Sequence, residues 1–191
     1  MTPALAARAP AVPARTGVWV AVLAISMTFA AVAAAMIGRA GAAPDWQQFR
    51  LPPILYVNSV LLMLSSGTLE AARARLKHAT PARAIGGSAS QWLALTLGLG
   101  IMFIAGQLLA WHALATLGLF LSTGPASAFF YLFTALHGVH LLGGVIALVY
   151  ALHRVRQVGP AAAGALGAAA LYWHFMTCLW LCVLLLLTIR L

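Results

Sequence analysis

Histidines in the C-terminal half of this 191-residue chain are the residues whose type and spacing could support chemistry. His137 and His140 lie three positions apart, a spacing that puts both on one face of a helix. His174 follows a Tyr-Trp pair in a later apolar segment. Such imidazoles could bind haem or a metal ion, or relay protons. The only two acidic residues, Asp45 and Glu70, come much earlier in the chain, so carboxylates that would complete or orient a metal site are missing here.

Three interpretations of these histidines remain open from the residues alone. They could hold haem or metal, they could form neutral hydrogen bonds between helices, or they could act near lipid headgroups. We expect no metal site. Cys178 and Cys182, four residues apart in an apolar segment, have no other soft ligand near them in sequence and are expected to pack as small hydrophobic residues.

Two amides, Asn58 and Gln107, stand out among the polar residues of the apolar segments. Burying an amide in lipid without a partner is costly, so each is expected to contact another helix of this chain or of a partner subunit. The sequence contains no nucleophile–base pair, glycine-rich phosphate loop or paired acids. We therefore expect no active site in this chain by itself.

The composition identifies a membrane protein. Hydrophobic residues make up 63% of the chain, charged residues 7%, and the mean hydropathy is +0.99. A soluble domain carries about 25% charged residues, which cover its surface in water. The net charge of +9 could indicate nucleic-acid binding, but the basic residues lie between apolar segments and form no patch interleaved with aromatic residues. They indicate membrane topology instead, and no nucleic-acid partner is expected.

Charged residues mark the ends of the spans, because each is costly at mid-membrane. A hydrocarbon core of ~30 Å needs about 20 helical residues. The charge-free stretch 84–153 is too long for one helix, and its turn signal at residues 122–125 divides it. We expect an all-α, polytopic transmembrane bundle of five helices at about residues 16–38, 52–74, 90–118, 127–152 and 166–189. The Ala/Pro-rich residues 1–15 are expected to form a disordered tail before this domain of residues 16–191.

The distribution of basic residues predicts the orientation. With a cytoplasmic N-terminus and a periplasmic C-terminus, eight basic residues lie inside and three outside, as the positive-inside rule favours. The inner set is Arg8, Arg15, Arg73, Arg75, Lys77, Arg83, Arg154 and Arg156, and the outer set is Arg39, Arg50 and Arg190. Tryptophans near the span ends are expected to form an interfacial aromatic belt, namely Trp19, Trp46, Trp92 and Trp173.

Three segments resemble subunit III of the haem-copper terminal oxidases, the cytochrome c oxidase subunit III family. They are NSVLLMLSSGTLEAA at 58–72, FFYLFTALHGVHLLGGVIA at 129–147 and ALYWHFMTCLW at 170–180. The resemblance implies a non-catalytic subunit of a respiratory complex in a bacterial inner membrane, oxidising cytochrome c or quinol. Such a subunit packs against subunit I, which holds the haems and copper, and has no cofactor of its own.

The resemblance also implies that the chain holds phospholipid. In this family an Arg fourteen residues after the second His of the HGxH motif binds lipid phosphate, and Arg154 occupies that position here. A lipid site is accordingly expected to include Arg154, together with His137, His140, Trp173 and His174.

Acidic residues that the family tends to keep are replaced here by apolar or uncharged ones. The positions are Ile25 or Met27, Leu108 to Ala110 after Gln107, Gly167 and Thr177. These departures indicate a divergent five-helix member and remove acids that could take part in proton uptake. An accessory protein of a nitric oxide reductase, which would share the fold, is the alternative. A haem-binding membrane electron carrier is a further one.

Overall fold

The computed structural model describes residues 14–42, 44–77, 87–157 and 162–191. Within these residues, five helices are long and apolar enough to cross a membrane. They are α1 (Ala14–Ala42), α2 (Ile54–Lys77), α3 (Ser88–Thr116), α4 (Pro125–Arg156) and α5 (Ala162–Arg190). The prediction of an all-helical chain with five spans is confirmed. The predicted disordered tail falls mostly outside the described residues, and α1 already includes residues 14 and 15.

Prolines mark the starts of α2 and α4, and a glycine shapes the turn between α3 and α4. Pro52 and Pro53 precede α2, and their carbonyls accept the N–H groups of Leu55 and Tyr56, each at 3.1 Å. Pro125 is the first residue of α4, where its missing N–H costs no helical hydrogen bond. The turn between α3 and α4 needs Gly118, because its φ of 76° is a conformation that other residues rarely adopt.

Helix α5 is the central element of the bundle. It packs against α1, α2 and α4, while α2 and α3 form the most extensive pair and α3 also contacts α4. Helix α1 packs mainly on α5 and also contacts α4, where Phe29 meets the rings of Phe133 and His140. Two tryptophans of α5 set its register against α2, since Trp173 Nε1 donates to Ser65 Oγ and Trp180 Nε1 donates to Ser59 Oγ, both at 2.9 Å.

Trp173 is fully buried at the centre of this packing. Its indole lies between Gly100 of α3 and Gly144 of α4, where an added Cβ would come within 2.7 Å and 3.1 Å of the ring respectively. The prediction that Trp173 belongs to an interfacial belt is therefore wrong. Glycines on two neighbouring helices leave room for the ring in the interior, and a hydroxyl on a third helix accepts its N–H.

Candidate functional site

The polar group on the α2–α5 surface is built from Ser66, Glu70 and His174. Ser66 and Glu70 are four residues apart and share a face of α2. His174 of α5 bonds both, with its Nδ1 2.5 Å from Ser66 Oγ and its Nε2 2.7 Å from Glu70 Oε1. Arg73 forms an ion pair with the same carboxylate oxygen. The four side chains thus join two helices in one connected network.

The carboxylate of Glu70 determines where the protons lie in this network. An ionised carboxylate only accepts hydrogen bonds, so a neutral His174 carries its proton on Nε2 and donates it to Glu70. Its Nδ1 then accepts from the hydroxyl of Ser66. Glu70 is thus the carboxylate partner that orients the His174 ring. The distance between the two residues in the sequence does not predict this contact.

The network faces outward from the bundle, in the C-terminal half of α2. The exposed fractions of the side chains are 51% for Glu70, 33% for His174 and 30% for Arg73. The 24 residues of α2 extend about 36 Å at 1.5 Å per residue. Glu70 is then about 7 Å beyond the midpoint of α2, towards its C-terminal end.

His137 and His140 point to different neighbours although they share an i, i+3 spacing. The ring of His137 is buried and lies 4.9 Å from the Trp180 ring and 5.8 Å from the Phe103 ring. The ring of His140 instead meets Phe29 of α1 at 5.9 Å, and its Nδ1 bonds the carbonyl of Leu136 at 2.7 Å. The two imidazoles therefore do not converge on one ligand.

The two amides also have different environments. Asn58 Nδ2 donates to the carbonyl of Phe103 at 3.2 Å, and its side chain packs on Gly106, where a Cβ would overlap it. This bond joins α2 to α3. Gln107 is 6% exposed, and among the described residues neither of its polar side-chain atoms has a hydrogen-bond partner.

Arg154 lies apart from the buried histidines, in the last turn of α4. Its Nε donates to Tyr150 Oη at 2.8 Å, and its guanidinium lies 5.1 Å from the centre of the same ring. Tyr150 lines an apolar groove of about 350 Å³, together with Val18, Gly143, Ala147, Ala165, Ala168, Ala169 and Tyr172.

The five residues expected at a common lipid site lie in different parts of the bundle. His137 and Trp173 contact protein in the interior, and His140 packs against Phe29 of α1. His174 faces the α2–α5 surface, and Arg154 contacts Tyr150 of the groove.

The part of the chain that the structure describes contains no cluster of three His, Cys, Asp or Glu side chains arranged to hold a metal ion. Cys178 and Cys182 are exposed free thiols on α5.

Comparison with known proteins identifies the family. A model of the family "Cytochrome c oxidase subunit III" matches residues 18–190. A probable cytochrome c oxidase subunit 3 of Nocardia farcinica is 37% identical over 93 residues, which cover 48% of this chain and 46% of that protein. Cytochrome c oxidase subunit 3 of Synechocystis is 30% identical over 128 residues, 65% of this chain and 52% of that protein.

Subunit 3 of the cytochrome bo(3) ubiquinol oxidase of Pseudomonas putida is 26% identical over 172 residues, 87% of this chain and 81% of that protein. The chain spans about half the length of the Nocardia and Synechocystis relatives. The family model, however, extends across all five helices from α1 to α5. The chain belongs to the cytochrome c oxidase subunit III family.

Proposed function

We propose that this chain is the subunit III of a haem-copper terminal oxidase, where it packs against the catalytic subunit I and retains phospholipid. Its relatives are named as subunits of a cytochrome c oxidase and of a ubiquinol oxidase. The haems and copper belong to the partner subunit in this proposal. This chain contributes a surface for assembly and a groove for lipid.

The outward-facing network of Glu70 and His174 is the observation that carries the proposal. A carboxylate that is half exposed within a span is costly in lipid, even with Arg73 beside it. Among the described residues, only Oε1 of Glu70 is engaged by other side chains. A transmembrane helix of a neighbouring subunit that offers a hydrogen-bond donor to Oε2 would remove this cost, so we assign the α2–α5 surface to the subunit contact.

Lipid retention is supported by the groove that ends near Arg154. Its lining residues are mostly small and apolar, as an acyl chain requires, and they include Tyr150. The guanidinium of Arg154, held on that ring, could form charge-assisted hydrogen bonds to a lipid phosphate. This proposal uses Arg154 and Tyr150 and does not require the buried His137 or Trp173.

We place the N-terminus in the cytoplasm and the C-terminus in the periplasm of a bacterial inner membrane. The eight-to-three distribution of the basic residues supports this orientation. It puts Arg154 and the C-terminal end of α2 on the cytoplasmic side, where anionic lipids attract basic side chains.

Mild solubilisation of a tagged, full-length chain tests the proposal. We expect subunits that carry haem to accompany it at equal stoichiometry, with a haem absorption spectrum and oxygen consumption in the purified sample. A preparation without such subunits would contradict the proposal. A preparation that reduces nitric oxide instead of oxygen would identify the alternative complex. Haem bound to the isolated chain would point to an electron carrier.

A further inference from the structure

Gln107 and His137 lie at the same level of the α3–α4 interface. Phe103, Gln107 and Trp111 are successive residues of one stripe of α3, each four positions after the last. Phe103 contacts the ring of His137 on α4, and Trp111 Nε1 donates to Thr134 Oγ1 at 3.0 Å. Gln107 is bracketed by these two contacts, so it faces the segment of α4 that runs from Thr134 to His137.

The polar side chains around this pair are already engaged with other groups. Trp180, which stacks on His137, donates its N–H to Ser59. Asn58 donates its amide to the carbonyl of Phe103. The hydroxyl of Thr134 accepts from Trp111 and donates to the carbonyl of Phe130 at 2.8 Å.

Four polar atoms remain at this point of the core. They are Nε2 and Oε1 of Gln107 and Nδ1 and Nε2 of His137, which are buried and have no partner among the described residues. His137 is 1% exposed and Gln107 6%, so neither reaches the bundle surface. Polar groups left unsatisfied in a membrane interior are costly, because lipid supplies no hydrogen bonds.

We propose that Gln107 and His137 together bind an ordered water molecule between α3 and α4. Water suits this donor set because it is small and both donates and accepts. The amide offers two N–H donors and a carbonyl acceptor, while a neutral imidazole offers one donor and one acceptor. A buried water normally makes about three hydrogen bonds. Gln107 and His137 can each supply one of them, because the two polar atoms of each side chain point in different directions. The same bonds would fix the tautomer of His137.

A high-resolution density map of the full chain, purified in lipid nanodiscs with the subunits that accompany it, tests this directly and needs no variant. We expect a solvent peak within hydrogen-bond distance of a Gln107 side-chain atom and a His137 ring nitrogen. A direct bond between the two side chains, or the absence of a peak between them, would overturn the proposal.

Substitutions provide an independent measurement. Gln107→Met preserves the length of the side chain but removes its polar atoms, so the peak should disappear from its map. Ser127→Ala removes a hydroxyl whose only assigned bond is local, to the Gly124 carbonyl, and should retain the peak. A peak that persists in Gln107→Met would contradict the assignment of Gln107 as a ligand of the water.

Thermal unfolding adds a second readout for the same pair. Gln107→Met and His137→Phe should each lower Tm, because each leaves the remaining residue with unsatisfied atoms. The decrease in Tm of the double variant should be smaller than the sum of the decreases in the two single variants. Strictly additive losses would show that the residues share no ligand and would sink the proposal.

Discussion

His174 Nε2 lies 2.7 Å from Glu70 Oε1, although 104 residues separate the two in sequence. This contact joins α5 to α2 on the outer surface of the bundle. It combines one of the chain's two acidic residues with a histidine of the segment YWHF at 172–175. The pair gives the outer surface of the bundle a polar feature between two helices that are long and apolar enough to span a membrane.

Glu70→Leu should weaken association with the partner subunit. A hydrogen bond to a charged group contributes about 1.5–3 kcal/mol, so its loss should lower subunit recovery roughly tenfold or more. Quantitative mass spectrometry of the co-purified subunits would measure this. Asp45→Leu serves as the control. Asp45 lies in the loop after α1 and forms its ion pair with Arg39 of α1, away from the α2–α5 surface. Equal recovery with both variants would refute the assignment of the α2–α5 surface.

Gly100→Ala should destabilise the bundle, whereas Gly98→Ala should not. The new Cβ at Gly100 would lie 2.7 Å from Trp173 Cη2, while nothing lies within 4 Å of a Cβ at Gly98. Overpacking of this kind costs about 1–3 kcal/mol. Chemical denaturation in detergent, followed by tryptophan fluorescence, would compare the two. Similar free energies of unfolding for the Gly100→Ala and Gly98→Ala variants would mean that Trp173 does not pack against Gly100.

Ser59→Ala should destabilise the contact between α2 and α5 by about 1–3 kcal/mol, since it leaves the buried N–H of Trp180 unsatisfied. Trp180→Phe should lower the free energy of unfolding less in the Ser59→Ala variant than in the unsubstituted protein. A double-mutant cycle on the free energy of unfolding measures this coupling. A coupling energy of zero would argue against the bond.

Arg154→Ala should reduce the anionic phospholipid that co-purifies with the chain. One basic residue near the membrane surface contributes on the order of 1 kcal/mol to such binding, which corresponds to about a fivefold loss of affinity. Native mass spectrometry would count the retained lipids. Arg156→Ala, an exposed cation at the same helix end, is the matched control, and an equal effect of both substitutions would indicate only general electrostatic attraction.

The polar contacts were harder to predict from the sequence than the helices. Asn58 was expected to bond another helix, and it bonds the carbonyl of Phe103. Gln107 carried the same expectation but bonds no group among the described residues. Glu70 is far from His174 in sequence, yet the two side chains form a hydrogen bond. The four-residue spacing of Ser66 and Glu70 was visible in the sequence, but nothing indicated which helix their shared face meets.

The sequence by itself determined the membrane architecture and the family. A membrane span needs about 20 consecutive apolar residues and few charges, and both conditions depend only on the local sequence. The sequence therefore predicts the spans, and also the turn at Gly124 and Pro125. The tertiary structure alone decided which side chains meet. In a membrane bundle the interior and the lipid-facing surface are both apolar, so hydrophobic periodicity does not reveal which face of a helix is buried. Helix packing sets that choice, and it brings Trp173 between Gly100 and Gly144 and Glu70 against His174.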